Sequence, residues 1–150
     1  DLDAAIKQNP TSIRSWQYRC SIFVNRGQDK EAVECLSRLI ALSPDNSINY
    51  HVRANYYVKD KEYAKAAADL THAVNLQPGE FEPLIIRGDI YRKMKQYPRA
   101  ISDYSKAIQL NRFRAGKAFA GRAECYRALG NNQAAEMDLK QGKIGEKVYR

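Results

Sequence analysis

The chain has 150 residues, 44% hydrophobic and 28% charged, with a formal net charge of +8. This composition fits an ordinary folded domain, and no low-complexity segment interrupts it. No apolar run reaches the 18 or more residues of a membrane span, and the acidic, amphipathic opening Asp1-Leu2-Asp3-Ala4-Ala5-Ile6 is not a secretion signal.

In chain order, Leu2, Ala5, Ile6 and Pro10 fit the end of a helix (residues 1–10) whose pairing partner is absent, as in a fragment cut from a longer array. Thr11 or Ser12 then caps a helix with Trp16, Cys20 and Phe23 on one face. Gly27 marks a turn where positive φ is easily adopted. A second helix carries Ala32, Leu36 and Leu39 and stops at Pro44, with Asp45 as the next candidate cap. The same pair of helices follows with Tyr50, Ala54 and Tyr57, then Ala66, Leu70 and Ala73, ending at Pro78. A third pair has Leu84, Gly88 and Tyr91, then Ala100, Tyr104 and Ala107. The fourth has Phe119, Ala123 and Tyr126, a turn at Gly130, then Ala135, Leu139 and Gly142. Its helical sequence runs on to about Lys147, with Lys140, Lys143, Glu146 and Lys147 suited to a cap on the last pair.

A fixed interval underlies this order. Pro10, Pro44 and Pro78 are each 34 residues apart, as are Ala32, Ala66 and Ala100, and Arg19, Arg53 and Arg87. A period in the 20–50 residue range marks a stacked-repeat architecture. Units begin at Ile13, Ser47, Phe81 and Gly116, with one residue inserted near 112–116. Small residues at the eighth and twentieth positions let two helix axes approach, and large ones at the fourth, eleventh and twenty-fourth fill the space beside them. The pattern resembles the tetratricopeptide repeat over nearly the whole chain. The resemblance implies an all-α fold, a right-handed superhelical α-solenoid of antiparallel helix pairs. One domain of residues 1–150 would hold repeats at 13–46, 47–80, 81–114 and 116–149, the last with a C-terminal capping helix. Leu39 is large where the family has a small residue, which predicts a loosened helix contact. Arg112 replaces a proline at the irregular junction.

The chain shows no catalytic constellation: no phosphate-binding glycine loop, no zinc-binding H-E-x-x-H, no nucleophile with a base beside it. An enzyme is therefore not expected, and no cofactor or metal site is implied. Cys20, Cys35 and Cys125 sit in apolar helical patterns without metal-ligand spacing. They suit buried, reduced thiols and a cytoplasmic setting, with nuclear or ciliary settings left open. The tyrosines suit core packing, and Arg19, Arg53, Arg87 and Arg122 suit a structural role beside the helix contacts.

Function is expected on the concave surface that the family forms from its first helices. Carried over by position, the candidate groove residues are Gln17, Tyr18, Ser21, His51, Val52, Asn55, Ile85, Ile86, Asp89, Arg92, Lys117 and Glu124. Tyr18, Val52, Ile85 and Ile86 are surplus to the core pattern and predict an apolar patch within a polar rim, suited to a partner. Asn55 suits a peptide amide, since its side chain both donates and accepts. The family's two-carboxylate clamp for chaperone tails is matched only at Asn55 and Lys117, so chaperone binding is not expected. Residues 76–150 hold net charge +7 of the total. A basic patch of Arg87, Lys93, Arg112, Arg114 and Lys117 would steer an acidic partner. The expected role is a non-catalytic scaffold or adaptor module that takes an extended or helical partner segment. Two alternatives stay open: a spacer that stacks or self-associates through its first repeat, and a basic half that binds an acidic tail or RNA. No aromatic-rich RNA signature accompanies the charge, so nucleic acid is the lesser expectation.

Overall fold

The computed structural model describes residues 1–148, with side chains described to residue 143. Residue 149, the expected end of the fourth repeat, lies outside the described residues, as do the side chains of Glu146 and Lys147 in the expected cap. The described residues form nine α-helices and no strand: α1 (Leu2–Gln8), α2 (Ile13–Asn25), α3 (Asp29–Leu42), α4 (Ser47–Lys59), α5 (Tyr63–Leu76), α6 (Glu82–Lys93), α7 (Tyr97–Leu110), α8 (Gly116–Ala128) and α9 (Asn132–Val148). Helices pack in pairs, α2 on α3 through α8 on α9, and each pair packs on the next through its second and first helices. This is an all-α solenoid. First helix α6 also packs directly on first helix α8, whereas no two successive second helices pack appreciably among the described residues. At that joint the stack is tighter along its first helices, so they line the inner side.

The helix ends repeat because the same bonds close them. After α2, α4, α6 and α8 the chain enters the left-handed region at Gly27 (φ 66°), Lys61 (φ 60°), Lys95 (φ 58°) and Gly130 (φ 79°). The next N–H then returns to the carbonyl of the aromatic residue in the preceding turn. Gln28 donates to Phe23 at 3.0 Å; Glu62 to Tyr57, Gln96 to Tyr91 and Asn131 to Tyr126 do so at 2.8 Å. Such a closure satisfies carbonyls that the helix leaves open. Ser12 caps α2 as expected, accepting from the Ser15 N–H. The cap of α4 is a correction: Asn46 accepts from the Ile48 N–H, while Asp45 accepts from the Ser43 hydroxyl at 2.8 Å.

Small residues bring the helices together. Ala32, Ala54, Ala66, Ala100 and Ala135 are fully buried. Leu39 packs with Cys20, Cys35 and Leu36 and is 2% exposed, and α2 and α3 form the least closely packed of the four pairs, as the larger side chain predicts.

A polar ladder crosses this apolar stack. The Arg53 guanidinium donates twice to Asp69 (2.7 and 2.8 Å) and once to the Ser37 hydroxyl of the preceding pair (2.9 Å). Arg87 repeats the arrangement with Asp103 and Thr71, and Arg122 with Asp138 and Ser105. Each hydroxyl donates onward to a carbonyl one turn back in its own helix, at Val33, Ala67 or Ile101. Asp69, Asp103 and Asp138 are buried yet fully partnered, which is the condition for a buried charge to be tolerated. The first repeat departs from the ladder. Cys35 stands where the carboxylate would be, and Asp3 stands where the hydroxyl would be, so Arg19 pairs with Asp3 of α1 at 3.0 Å. The carboxylate has moved from inside the helix pair to the helix before it.

Two outcomes follow from this geometry. Lys61→Gly and Lys95→Gly relieve a left-handed backbone that costs an L-residue about 1–2 kcal/mol; a net gain of up to about 1 kcal/mol and a higher Tm are expected in thermal denaturation. Arg87→Met leaves Asp103 buried without its partner and is expected to cost on the order of 3 kcal/mol. Arg19→Met faces an Asp3 whose side chain is 76% exposed and should cost no more than about 1 kcal/mol. Urea denaturation of both variants checks the order.

Candidate functional site

The groove is shaped by one side chain that crosses the stack. Where the other repeats have Leu36, Leu70 and Leu139, the third has Tyr104, which is fully buried. A Cβ on Gly88 of α6 would lie 2.8 Å from its ring, and one on Gly121 of α8 would lie 2.5 Å away. The ring therefore threads between α6 and α8 because both helices lack a side chain there. Its hydroxyl emerges beside first-helix residues, donating to Asp89 at 2.7 Å and accepting a long bond from Arg92 at 3.4 Å. Arg92 also pairs with Asp89 and with Glu124 of α8. Burial, followed by the bond to Asp89, pushes the Tyr104 hydroxyl well above its ordinary pKa, so it stays a donor at neutral pH.

Beside this network lies a cleft of about 340 Å³. His51 of α4 forms one wall, Ile85, Ile86 and Asp89 of α6 with Phe81 form the floor, and Arg114 and Lys117 form the opposite wall. Glu82 completes the rim at the start of α6. The Arg114 guanidinium lies 5.5 Å from the centre of the Phe81 ring, a cation–π placement that orients it. Neither Arg114 nor Lys117 has a carboxylate partner among the described residues, whereas Asp89 is held by Tyr104 and Arg92.

Of the twelve groove residues read from the sequence, five line this cleft: His51, Ile85, Ile86, Asp89 and Lys117. Arg92 and Glu124 pair with each other beside it. Asn55 is exposed on α4 and Val52 is half-buried there, both outside the cleft lining. Gln17, Tyr18 and Ser21 are exposed on α2, away from it.

The apolar patch expected within a polar rim is corrected in extent, since most of it is covered. Tyr18 is 68% exposed, but Ile85 is only 7% exposed, and Val52 and Ile86 are half-buried against the neighbouring cores. Val52 and Ile86 pack back on the core of the pair before, and Ile85 belongs to the core shared by the third and fourth pairs. Arg87 is a second correction. Its side chain is 11% exposed and bound to Asp103, so it belongs to the ladder and not to a basic surface. Lys93, Arg112, Arg114 and Lys117 are exposed; Arg112 donates to Gln141, and Lys93 lies over the Tyr63 ring.

Sequence reasoning passed over Phe81 and Tyr104 as groove components. A signal for Tyr104 was present: a tyrosine at a leucine position, with glycines at two positions that carry side chains in the other repeats. Away from the cleft, His72 stacks on Tyr50 with ring centres 5.0 Å apart. Burial pushes the Cys20 thiol up to about 12 and Cys125 up to about 11, so neither is a nucleophile at neutral pH. Among the described residues, no group of three or more His, Cys, Asp or Glu is placed to hold a metal ion, and no helix is long and apolar enough to cross a membrane.

The fold and this inner face define a helical-repeat solenoid. Residues 82–113 match the family model described as Tetratricopeptide repeat. The chain is similar to a crystal structure of MamA (TM-score 0.89, 18% identity, 99% of this chain and 86% of that one). It is also similar to YrrB, described as a TPR protein with an unusual peptide-binding site (TM-score 0.85, 16% identity, 97% and 75%). A third structure, MamA MSR-1 C2, gives a TM-score of 0.80 at 22% identity over 93% of this chain and 79% of that one. Comparison with curated proteins finds no match. Residues 82–113 thus carry the tetratricopeptide repeat pattern, and the structural likenesses show that the rest of the chain shares the fold.

The Tyr104 seam gives a double-mutant cycle. Gly121→Ala drives a methyl into a ring clamped on both sides and is expected to cost about 1–3 kcal/mol. In a Tyr104→Leu background the same change should be nearly neutral, for a coupling of at least about 1 kcal/mol by urea denaturation.

Proposed function

We propose that this chain is a non-catalytic protein-interaction module whose first-helix face takes an extended or helical segment of a partner. The observation that carries the reading is the cleft between α4, α6 and α8. It is concave, floored by Ile85, Ile86 and Phe81, and rimmed by polar groups supplied from three repeats, the usual build of a recognition site. The peptide-binding site named for YrrB, a protein of the same fold, supports it. The exposed amide of Asn55 lies on the same helix as His51 and would extend the contact along the partner's backbone. A second reading, recognition of acidic partners by the basic half, is favoured by Arg114 and Lys117, which lack carboxylate partners among the described residues.

Peptides selected from a random display library on the intact chain provide the test. Titrated into protein with labelled isoleucine methyls, they are expected to shift Ile85 and Ile86 and to leave Ile40 and Ile108 on the second helices in place. His51→Ala with Asn55→Ala should weaken binding several-fold at unchanged Tm. Shifts confined to second-helix methyls would overturn the reading.

A further inference from the structure

We infer that the cleft recognises a two-part element of a protein segment: a carboxylate side chain held by Arg114 and Lys117, beside an aliphatic side chain seated on Ile85 and Ile86. The inference rests on the reading of the first-helix face as a partner groove and adds the chemistry of what fills it.

The two positive charges that line the cleft have no opposite charge paired with them among the described residues. Four ionised groups line the cleft: Glu82, Asp89, Arg114 and Lys117. Asp89 is taken by the Tyr104 hydroxyl at 2.7 Å and by Arg92. Glu82 lies in the first turn of α6, where the helix dipole favours an acid. It also lines the neighbouring hollow toward α4 together with Glu80. Arg114 and Lys117 stand on the α8 side with no carboxylate of their own among the described residues. The cleft is therefore polarised, acidic toward α4 and basic toward α8, with aliphatic side chains between.

The position of Arg114 sharpens this. The residue inserted between the third and fourth units falls in the α7–α8 connection, and the Arg114 backbone N–H donates to the Asn111 side chain at 3.1 Å. The guanidinium lies over the Phe81 ring. A stacked guanidinium still presents its N–H edges, which suit a planar carboxylate. Lys117, on the first turn of α8, adds a second positive charge to the same wall. A volume of about 340 Å³ is near the lower end for binding pockets and suits one or two side chains. The floor favours protein over nucleic acid: it is largely aliphatic, and its one aromatic ring, Phe81, is covered by Arg114.

The test is selection of a random twelve-residue peptide library on the intact chain, followed by fluorescence anisotropy with labelled winners. Asp or Glu within two positions of Leu, Ile or Val is expected among the winners. Arg114→Gln with Lys117→Gln should weaken them at least tenfold. Amidating the acid on the peptide should weaken them equally on the wild-type protein, which keeps the test independent of the variant's folding. Winners that shift the Ile85 and Ile86 methyls but carry no acid, or ignore both changes, overturn the inference and leave the groove reading intact. No enriched peptide, or winners that leave those methyls unmoved, overturns both. A polyuridine RNA that binds tighter than every peptide, and is lost in the same double variant, overturns the inference in favour of nucleic acid.

Discussion

Each step of the stack turns on a half-buried guanidinium that serves two helix pairs at once. Arg53, Arg87 and Arg122 bond a carboxylate within their own pair and a hydroxyl in the pair before. Apolar contact alone is non-directional and would let neighbouring pairs slide. A planar fork with fixed donor directions admits far fewer arrangements. The ladder thereby sets the register in which successive first helices come side by side, and the cleft depends on that register.

The first repeat shows how such a network tolerates change. With Cys35 in place of the carboxylate, the pair would hold an unmatched Arg19, and Asp3 on the preceding helix supplies the missing charge. The partnership has moved from the interior to an exposed carboxylate, where solvent screens it. The bond between α1 and α2 is consequently weaker in kind than those deeper in the stack, although the same arginine makes it.

At the other end of the chain, a core residue decides the chemistry of a surface. Tyr104 reaches the inner face because Gly88 and Gly121 leave its ring room, and its hydroxyl occupies Asp89. A leucine there would fill the core and leave Asp89 to Arg92 alone. The partners of Asp89 on the inner face are thus set by packing in the third repeat.

The sequence by itself determined the repeat, the helix pairs and the small–large alternation that lets them stack. These rest on local properties: the 3.6-residue helical period, the closing bonds after each first helix, and the inability of proline to continue a helix. It also placed Pro44 and Pro78, Gly27 and Gly130, and the fully buried alanines correctly. The tertiary structure decided what each exposed-looking position does. Ile85 and Arg87 sit on first helices at spacings that suit a groove or a basic surface, yet one is packed into the core with only an edge left to the cleft and the other is bound to Asp103. Their fates depend on residues sixteen or more positions away, brought close only by stacking. Periodicity identifies which positions share a helix face; how near the next helix comes to that face depends on the packing of side chains such as Tyr104 between two glycines.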